Sequence, residues 1–149
     1  MTHTENAIVI DAPAATIYHF AAATERWPMY LPHYRFVHVL EQRGNTRVVE
    51  MSAWRSGIPL YWVAEQTNDP LLPAIVFRHI RGWTRGMEVE WRFEALPGGS
   101  TRVTILHDLA FQFPFAADFL GEHLVGDFFV ADVASKTLAR MKTLAEGAL

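Results

Sequence analysis

Residues 86–95 read Gly-Met-Glu-Val-Glu-Trp-Arg-Phe-Glu-Ala. Met87, Val89, Trp91 and Phe93 alternate without exception against Glu88, Glu90, Arg92 and Glu94. Successive side chains of a β-strand point to opposite faces, so this pattern sorts charges to one side and large apolar groups to the other. The segment is therefore a half-buried strand. Such a strand needs antiparallel neighbours and a cover for its apolar face.

The surrounding chain supplies both. Residues 36–42, 46–54, 59–67, 74–80 and 101–113 also read as strands. They are separated by Gly44-Asn45, Ser56-Gly57, Asn68-Asp69-Pro70, the segment 82–86 and Pro97-Gly98-Gly99-Ser100. Turns this short imply an antiparallel meander of six strands. Residues 6–11 form a seventh. After it, Asp11-Ala12-Pro13 reads as a helix start, with Asp11 as cap and Pro13 in the first turn. Ile17, Phe20 and Ala21 line one side of that helix, and a second short helix begins at Thr24. The cover is the stretch 125–146, which holds no proline and a single glycine, Gly126. There Val130, Ala134, Thr137, Leu138, Met141, Leu144 and Ala145 make one apolar stripe at helical spacing. No repeat, low-complexity tract or linker divides the chain, so residues 1–149 are expected to form one α+β domain.

Composition removes several functions. The formal charge is −3 and the basic residues are scattered, which gives no footprint for nucleic acid. Cysteine is absent, so disulfides and thiolate chemistry are excluded. The seven histidines do not cluster at metal-ligand spacing, and no phosphate-binding glycine loop or nucleophile-elbow motif occurs. The expectation is no metal and no cofactor. No apolar run approaches the ~20 residues of a membrane span and the start lacks a signal-peptide pattern, so a soluble, cytoplasmic protein is expected.

Two strands carry residues that a dry core does not need. On 59–67, Leu60, Trp62, Ala64 and Gln66 share a face: a large ring, a gap and an uncharged polar group, which suits a pocket wall. On the last strand Val103, Ile105, His107, Leu109 and Phe111 face inward. His107 interrupts that apolar row. It is either a proton-transfer group working near neutral pH or a core histidine satisfied by a neighbour. Asp108 points the other way. Trp27, Tyr34, Trp62 and Trp91 serve equally as core fillers or as a ligand platform. Arg55 continues the inward phase of Val49, Met51 and Ala53, or lies solvated at a hairpin. The phase of Arg78 and His79 stays open. Asp127 and Thr137 fall on or near the inner stripe of the last helix, where Thr137 either meets a ligand or bonds back to its own helix.

The opening Asn-Ala-Ile-Val-Ile-Asp-Ala-Pro and the later Glu-Arg-Trp-Pro-Met-Tyr-Leu-Pro, in this order of elements, resemble the START-like (SRPBCC) superfamily. Within it the chain is most similar to the polyketide cyclase/dehydrase group, with the coenzyme Q-binding proteins as close cousins. The resemblance implies a helix-grip fold: a curved antiparallel sheet of about seven strands around a long C-terminal helix, with two short helices after the first strand and an internal hydrophobic cavity. It implies cavity-lining roles for Trp27, Tyr34 and Trp62 and a polar role for His107. The cyclisation arginine of aromatase/cyclase members falls on Gln66, whose amide can donate a hydrogen bond but carries no charge.

Two functions follow as expectations. One is cofactor-independent cyclisation or dehydration of a polyketide-like substrate, with His107 and Gln66 as catalytic groups and Trp27, Tyr34, Arg55, Trp62, Trp91 and Thr137 as ligand contacts. The other is a non-catalytic carrier for a lipid, quinone or isoprenoid. The partner in both is a hydrophobic or aromatic small molecule, and the oligomeric state stays open.

Overall fold

Seven strands and three α-helices make up the computed structural model, which describes residues 2–55, 57–82, 84–109 and 131–148. The strands are β1 (Thr2–Ile10), β2 (Tyr34–Arg43), β3 (Thr46–Arg55), β4 (Ile58–Asp69), β5 (Ala74–Gly82), β6 (Glu88–Ala95) and β7 (Thr101–Leu109). They form one sheet in the order β1-β7-β6-β5-β4-β3-β2, with every neighbouring pair antiparallel. Between β1 and β2 lie α1 (Ala14–Ala22), a 3-10 turn (Thr24–Arg26) and α2 (Trp27–Tyr30). The long helix α3 (Ala131–Gly147) follows the sheet. This is the expected α+β helix-grip arrangement. Among the described residues no helix is long and apolar enough to cross a membrane.

β6 obeys its alternation. Met87, Val89, Trp91 and Phe93 are buried, while Glu88, Arg92 and Glu94 are exposed. β4 places Trp62, Ala64 and Gln66 on the same inner face. Register shifts occur between Val63 and Ala64 of β4, and twice along β2. Such bulges bend a strand and sharpen its twist, which lets a sheet wrap around a helix. Gly82 is required where β5 meets β4. Its φ is +99°, and a Cβ there would lie 2.5 Å from the Tyr61 carbonyl oxygen.

α3 buries Val133, Ala134, Thr137, Leu138, Met141 and Ala145 against this face. A fully buried leucine or methionine side chain contributes roughly 1.5–3 kcal/mol. Polar ties fix the C-terminal half of the helix. Lys142 Nζ donates to the Val9 carbonyl at 3.0 Å, and Arg140 Nε to the Tyr30 carbonyl at 2.9 Å.

Three expectations need correction or bounding. Asp11 does not cap α1: the N-cap is Pro13, without a side-chain bond, because Asp11 lies three residues before Ala14. Instead the Asp11 N–H donates to Glu146 Oε2 at 2.8 Å. β1 starts four residues earlier than the apolar run predicts, since β7 extends alongside it and pairs Thr2 with Leu109. The side chains of Arg55 and Leu109, and the residues Phe111, Asp127 and Val130, lie outside the described residues.

Candidate functional site

Between the inner face of the sheet, α2 and the start of α3 lies a pocket. Its walls are chiefly aromatic and aliphatic. Trp27, Tyr34, Trp62, Phe77 and Trp91 supply rings; Met51, Met87, Val89, Ile105 and Val133 fill between them. The polar groups are His79, His107 and Thr137. No lysine, arginine or carboxylate lines it among the described residues. A largely apolar cavity with a few polar groups is the usual form of a small-molecule site.

The rings hold one another in place. Trp27 meets Tyr34 edge-on at 5.1 Å and lies 5.8 Å from Trp91. Tyr34 meets Trp62 edge-on at 6.1 Å, and Trp62 stacks on His79 at 5.6 Å with planes 11° apart. Edge-to-face and offset pairs at these separations are the favoured aromatic geometries. The Trp27 indole nitrogen is buried without a hydrogen-bond partner among the described residues, and leaving such a donor unpaired costs roughly 1–3 kcal/mol.

His107 faces Val89 across the β6–β7 ladder, and its Nδ1 is buried with no partner among the described residues. The residue retains some exposed surface, but protein encloses the imidazole closely enough that desolvation lowers its pKa to about 4. The neighbouring Asp108 opposes that lowering, and His3 adds to it. Asp108 points outward as expected, its Oδ1 lying 2.5 Å from His3 Nδ1. Thr137 lines the cavity but donates its hydroxyl to the Val133 carbonyl of its own helix at 2.7 Å, with His33 Nε2 2.9 Å away. Burial pushes the Tyr34 phenol far above its ordinary value, and a hydrogen bond with Thr137 works against that shift. Burial also lowers His33 to about 4, helped by Lys136 and opposed by Asp132.

Gln66 does not reach this cavity. It shares the inner face of β4 but lies under the junction of α1 and the 3-10 turn, fully buried. Its Nε2 donates to the Ala22 carbonyl at 2.9 Å and to Asn68 Oδ1 at 2.8 Å, while Oε1 accepts from Thr24 Oγ1 at 2.6 Å. Both amide hydrogens are committed to the fold, so no donor is left for a ligand oxygen. An arginine does sit beside it, since Arg47 pairs with Gln66 across the β3–β4 ladder. Its guanidinium donates to Thr24 Oγ1 and Glu25 rather than into the cavity.

The structure brings Trp27, Tyr34, Trp62, Trp91, His107 and Thr137 together. It adds His79, whose facing the sequence left open. Arg78 points outward, 3.4 Å from Glu88, so His79 turns inward with Ile75 and Phe77. The charge on Arg78 was the available signal. Burial lowers His79 to about 3, with a further push from His107. No cluster of three or more metal-ligating side chains occurs among the described residues.

Comparison with known proteins matches residues 10–134 to the family model described as polyketide cyclase / dehydrase and lipid transport. A Streptomyces cyaneus protein that carries the name polyketide cyclase is 30% identical over 113 residues, covering 74% of each chain. The ZhuI aromatase/cyclase of Streptomyces sp. R1128 superposes with a TM-score of 0.85 at 22% identity, over 97% of this chain and 93% of that one. A START superfamily protein of Mycobacterium smegmatis gives 0.70 at 16% identity, over 99% and 97%. With a matched model spanning most of its length, the chain belongs to the polyketide cyclase/dehydrase and lipid transport family.

Proposed function

We propose that this protein binds an aromatic, polyketide-like molecule in the cavity and promotes its cyclisation or dehydration, with His107 as the proton-transfer group. The observation that carries this reading is that His107, whose buried Nδ1 has no partner among the described residues, lines a largely aromatic cavity. The rings of Trp27, Trp62 and Trp91 hold a flexible chain folded with its reacting carbons close, which removes much of the entropic part of the barrier. A neutral imidazole accepts a proton from the carbon between two carbonyls. The resulting carbanion closes onto a ketone carbon, and the imidazolium returns the proton to the alkoxide oxygen; in a dehydration the imidazole then takes a second α-proton, the C=C bond forms as the C–O bond breaks, and the imidazolium protonates the departing hydroxide to water. Burial lowers the pKa of His107 to about 4, so near pH 7 the imidazole is neutral, the form that accepts the first proton.

Native mass spectrometry of the purified protein, followed by identification of any released molecule, comes first. Turnover of aromatic polyketide mimics by wild type and His107→Ala follows. On this reading the variant loses at least tenfold in kcat while binding changes little. Equal loss in both, or in neither, overturns the catalytic role.

The absence of a charged liner among the described residues, together with the structural commitment of Gln66, favours one second reading. In it the same cavity carries a quinone, lipid or isoprenoid unchanged. A lipid or quinone co-purifying at near one-to-one occupancy, unaltered after incubation, selects it.

A further inference from the structure

His79 takes no part in the proton transfer assigned to His107, yet its geometry is that of a held contact. It is 5% exposed, lines the cavity and stacks flat on Trp62. Its Nδ1 lies 2.6 Å from Thr84 Oγ1, and Thr84 is itself buried in the turn between β5 and β6. Among the described residues Nε2 has no protein partner. The tautomer follows from the hydroxyl. Among the described residues Thr84 Oγ1 makes one side-chain hydrogen bond, to His79. If His79 Nδ1 carried the ring proton, the buried Thr84 hydrogen would be left without an acceptor, at a real cost. Thr84 therefore donates to Nδ1, and the ring proton sits on Nε2.

That makes His79 a donor facing the cavity. His107 stands two strands away: His79 lies beside Met87 of β6, and His107 opposite Val89 on its other side. Two interstrand spacings, roughly 10 Å, separate the two backbones, and Met87 and Val89 face inward between them. We propose that His79 is a specificity-determining residue whose Nε2–H donates to a carbonyl oxygen of the bound ligand, with Thr84 fixing its tautomer and Trp62 its plane. The proposal rests on the cavity being the ligand site.

The test compares 2-acetylnaphthalene with 2-isopropylnaphthalene, near-isosteres that differ by the carbonyl, using calorimetric titration of the wild type, His79→Phe and Thr84→Val. His79→Phe keeps the stacking ring and removes both nitrogens. It should weaken the ketone relative to the hydrocarbon by roughly five- to tenfold, the net value of one hydrogen bond. Thr84→Val should weaken it by a smaller factor, by freeing the tautomer. Nitrogen-15 spectra of the wild-type histidines should show a bare Nδ1 and a protonated Nε2 on His79, the latter shifting with the ketone and not with the hydrocarbon. A preference unchanged in both variants, or a proton on Nδ1, overturns the inference and leaves the cavity reading intact. If neither probe binds the wild type, the cavity reading itself falls and takes this inference with it. Should His79→Phe fail to fold, Thr84→Val and the wild-type spectra decide the matter.

Discussion

Replacing Gln66 with methionine separates a structural amide from a catalytic one. Methionine keeps the length and lack of branching of glutamine, so the change deletes hydrogen bonds more than volume. Three bonds disappear: to the Ala22 carbonyl, to Asn68 and from Thr24. The losses are unequal. Asn68 is half-buried and can turn to water. Thr24 is fully buried, and Arg47 still donates to its oxygen, but its hydrogen loses its acceptor. The Ala22 carbonyl loses its side-chain donor. The buried Thr24 hydroxyl and the half-buried Ala22 carbonyl left unsatisfied at roughly 1–3 kcal/mol each, less whatever relaxation and water recover, give a destabilisation of about 2–4 kcal/mol. For a domain of this size that lowers Tm by roughly 6–12 °C. Urea unfolding of Gln66→Met, Thr24→Val and the double variant measures it. The two single changes should be non-additive, because they share a bond. Binding of 2-acetylnaphthalene to the folded variant should stay within about twofold of wild type, since the deleted bonds lie outside the cavity. A variant as stable as wild type that no longer binds the ketone would refute this reasoning and return Gln66 to the ligand site.

Two further outcomes follow from the same geometry. Gly82→Ala should destabilise by about 2 kcal/mol or more, since the residue combines a positive φ with backbone 2.5 Å from the new Cβ; unchanged thermal unfolding would show that β4 and β5 separate at little cost. Stability should also fall as pH drops from about 6.5 towards 4. His33, His79 and His107 are all depressed below their ordinary 6.5, to about 4, 3 and 4, so in that window the unfolded chain binds protons that the folded chain refuses. Each histidine contributes a slope of at most about 1.4 kcal/mol per pH unit. His3, raised by Asp108, works the other way, and the carboxylates of Glu25, Glu50 and Glu146 join the loss only at lower pH. Urea midpoints that stay flat between pH 6.5 and 4.5 would mean that the three imidazoles are better solvated than their burial implies.

Legibility in the sequence tracked how local the physics was. The alternation in β6 needs only two adjacent residues to be read, and every large apolar side chain there is buried. The stripe of α3 was equally plain, apart from Val133, which is buried beside it. Gln66 was opaque for the opposite reason. Its facing could be read from β4, but its partners Ala22 and Thr24 are more than forty residues away, and only the folded chain brings them overhead. A family correspondence gave that position a chemical meaning, whereas the hydrogen bonds give it a mechanical one. Thr137 shows a third case. Its facing was readable, but whether its hydroxyl served a ligand or its own helix depended on a carbonyl one turn back. His79 was within reach, because the charge of Arg78 already dictates which way its neighbour turns.

The pairing of β1 with β7 has a consequence for the order in which the protein is made. Ile10 leaves the ribosome first and waits for Thr101, about 90 residues later, before its edge is paired. At roughly 5–20 residues per second that delay lasts on the order of 5–20 s. Throughout it the nascent strand offers open backbone groups to any other exposed edge. Its first half reads Thr-His-Thr-Glu-Asn, a stretch too polar to stick, with the apolar Ile-Val-Ile held to its end. The polarity that hid this half of the strand from an apolar-run reading is what keeps it single until its partner exists.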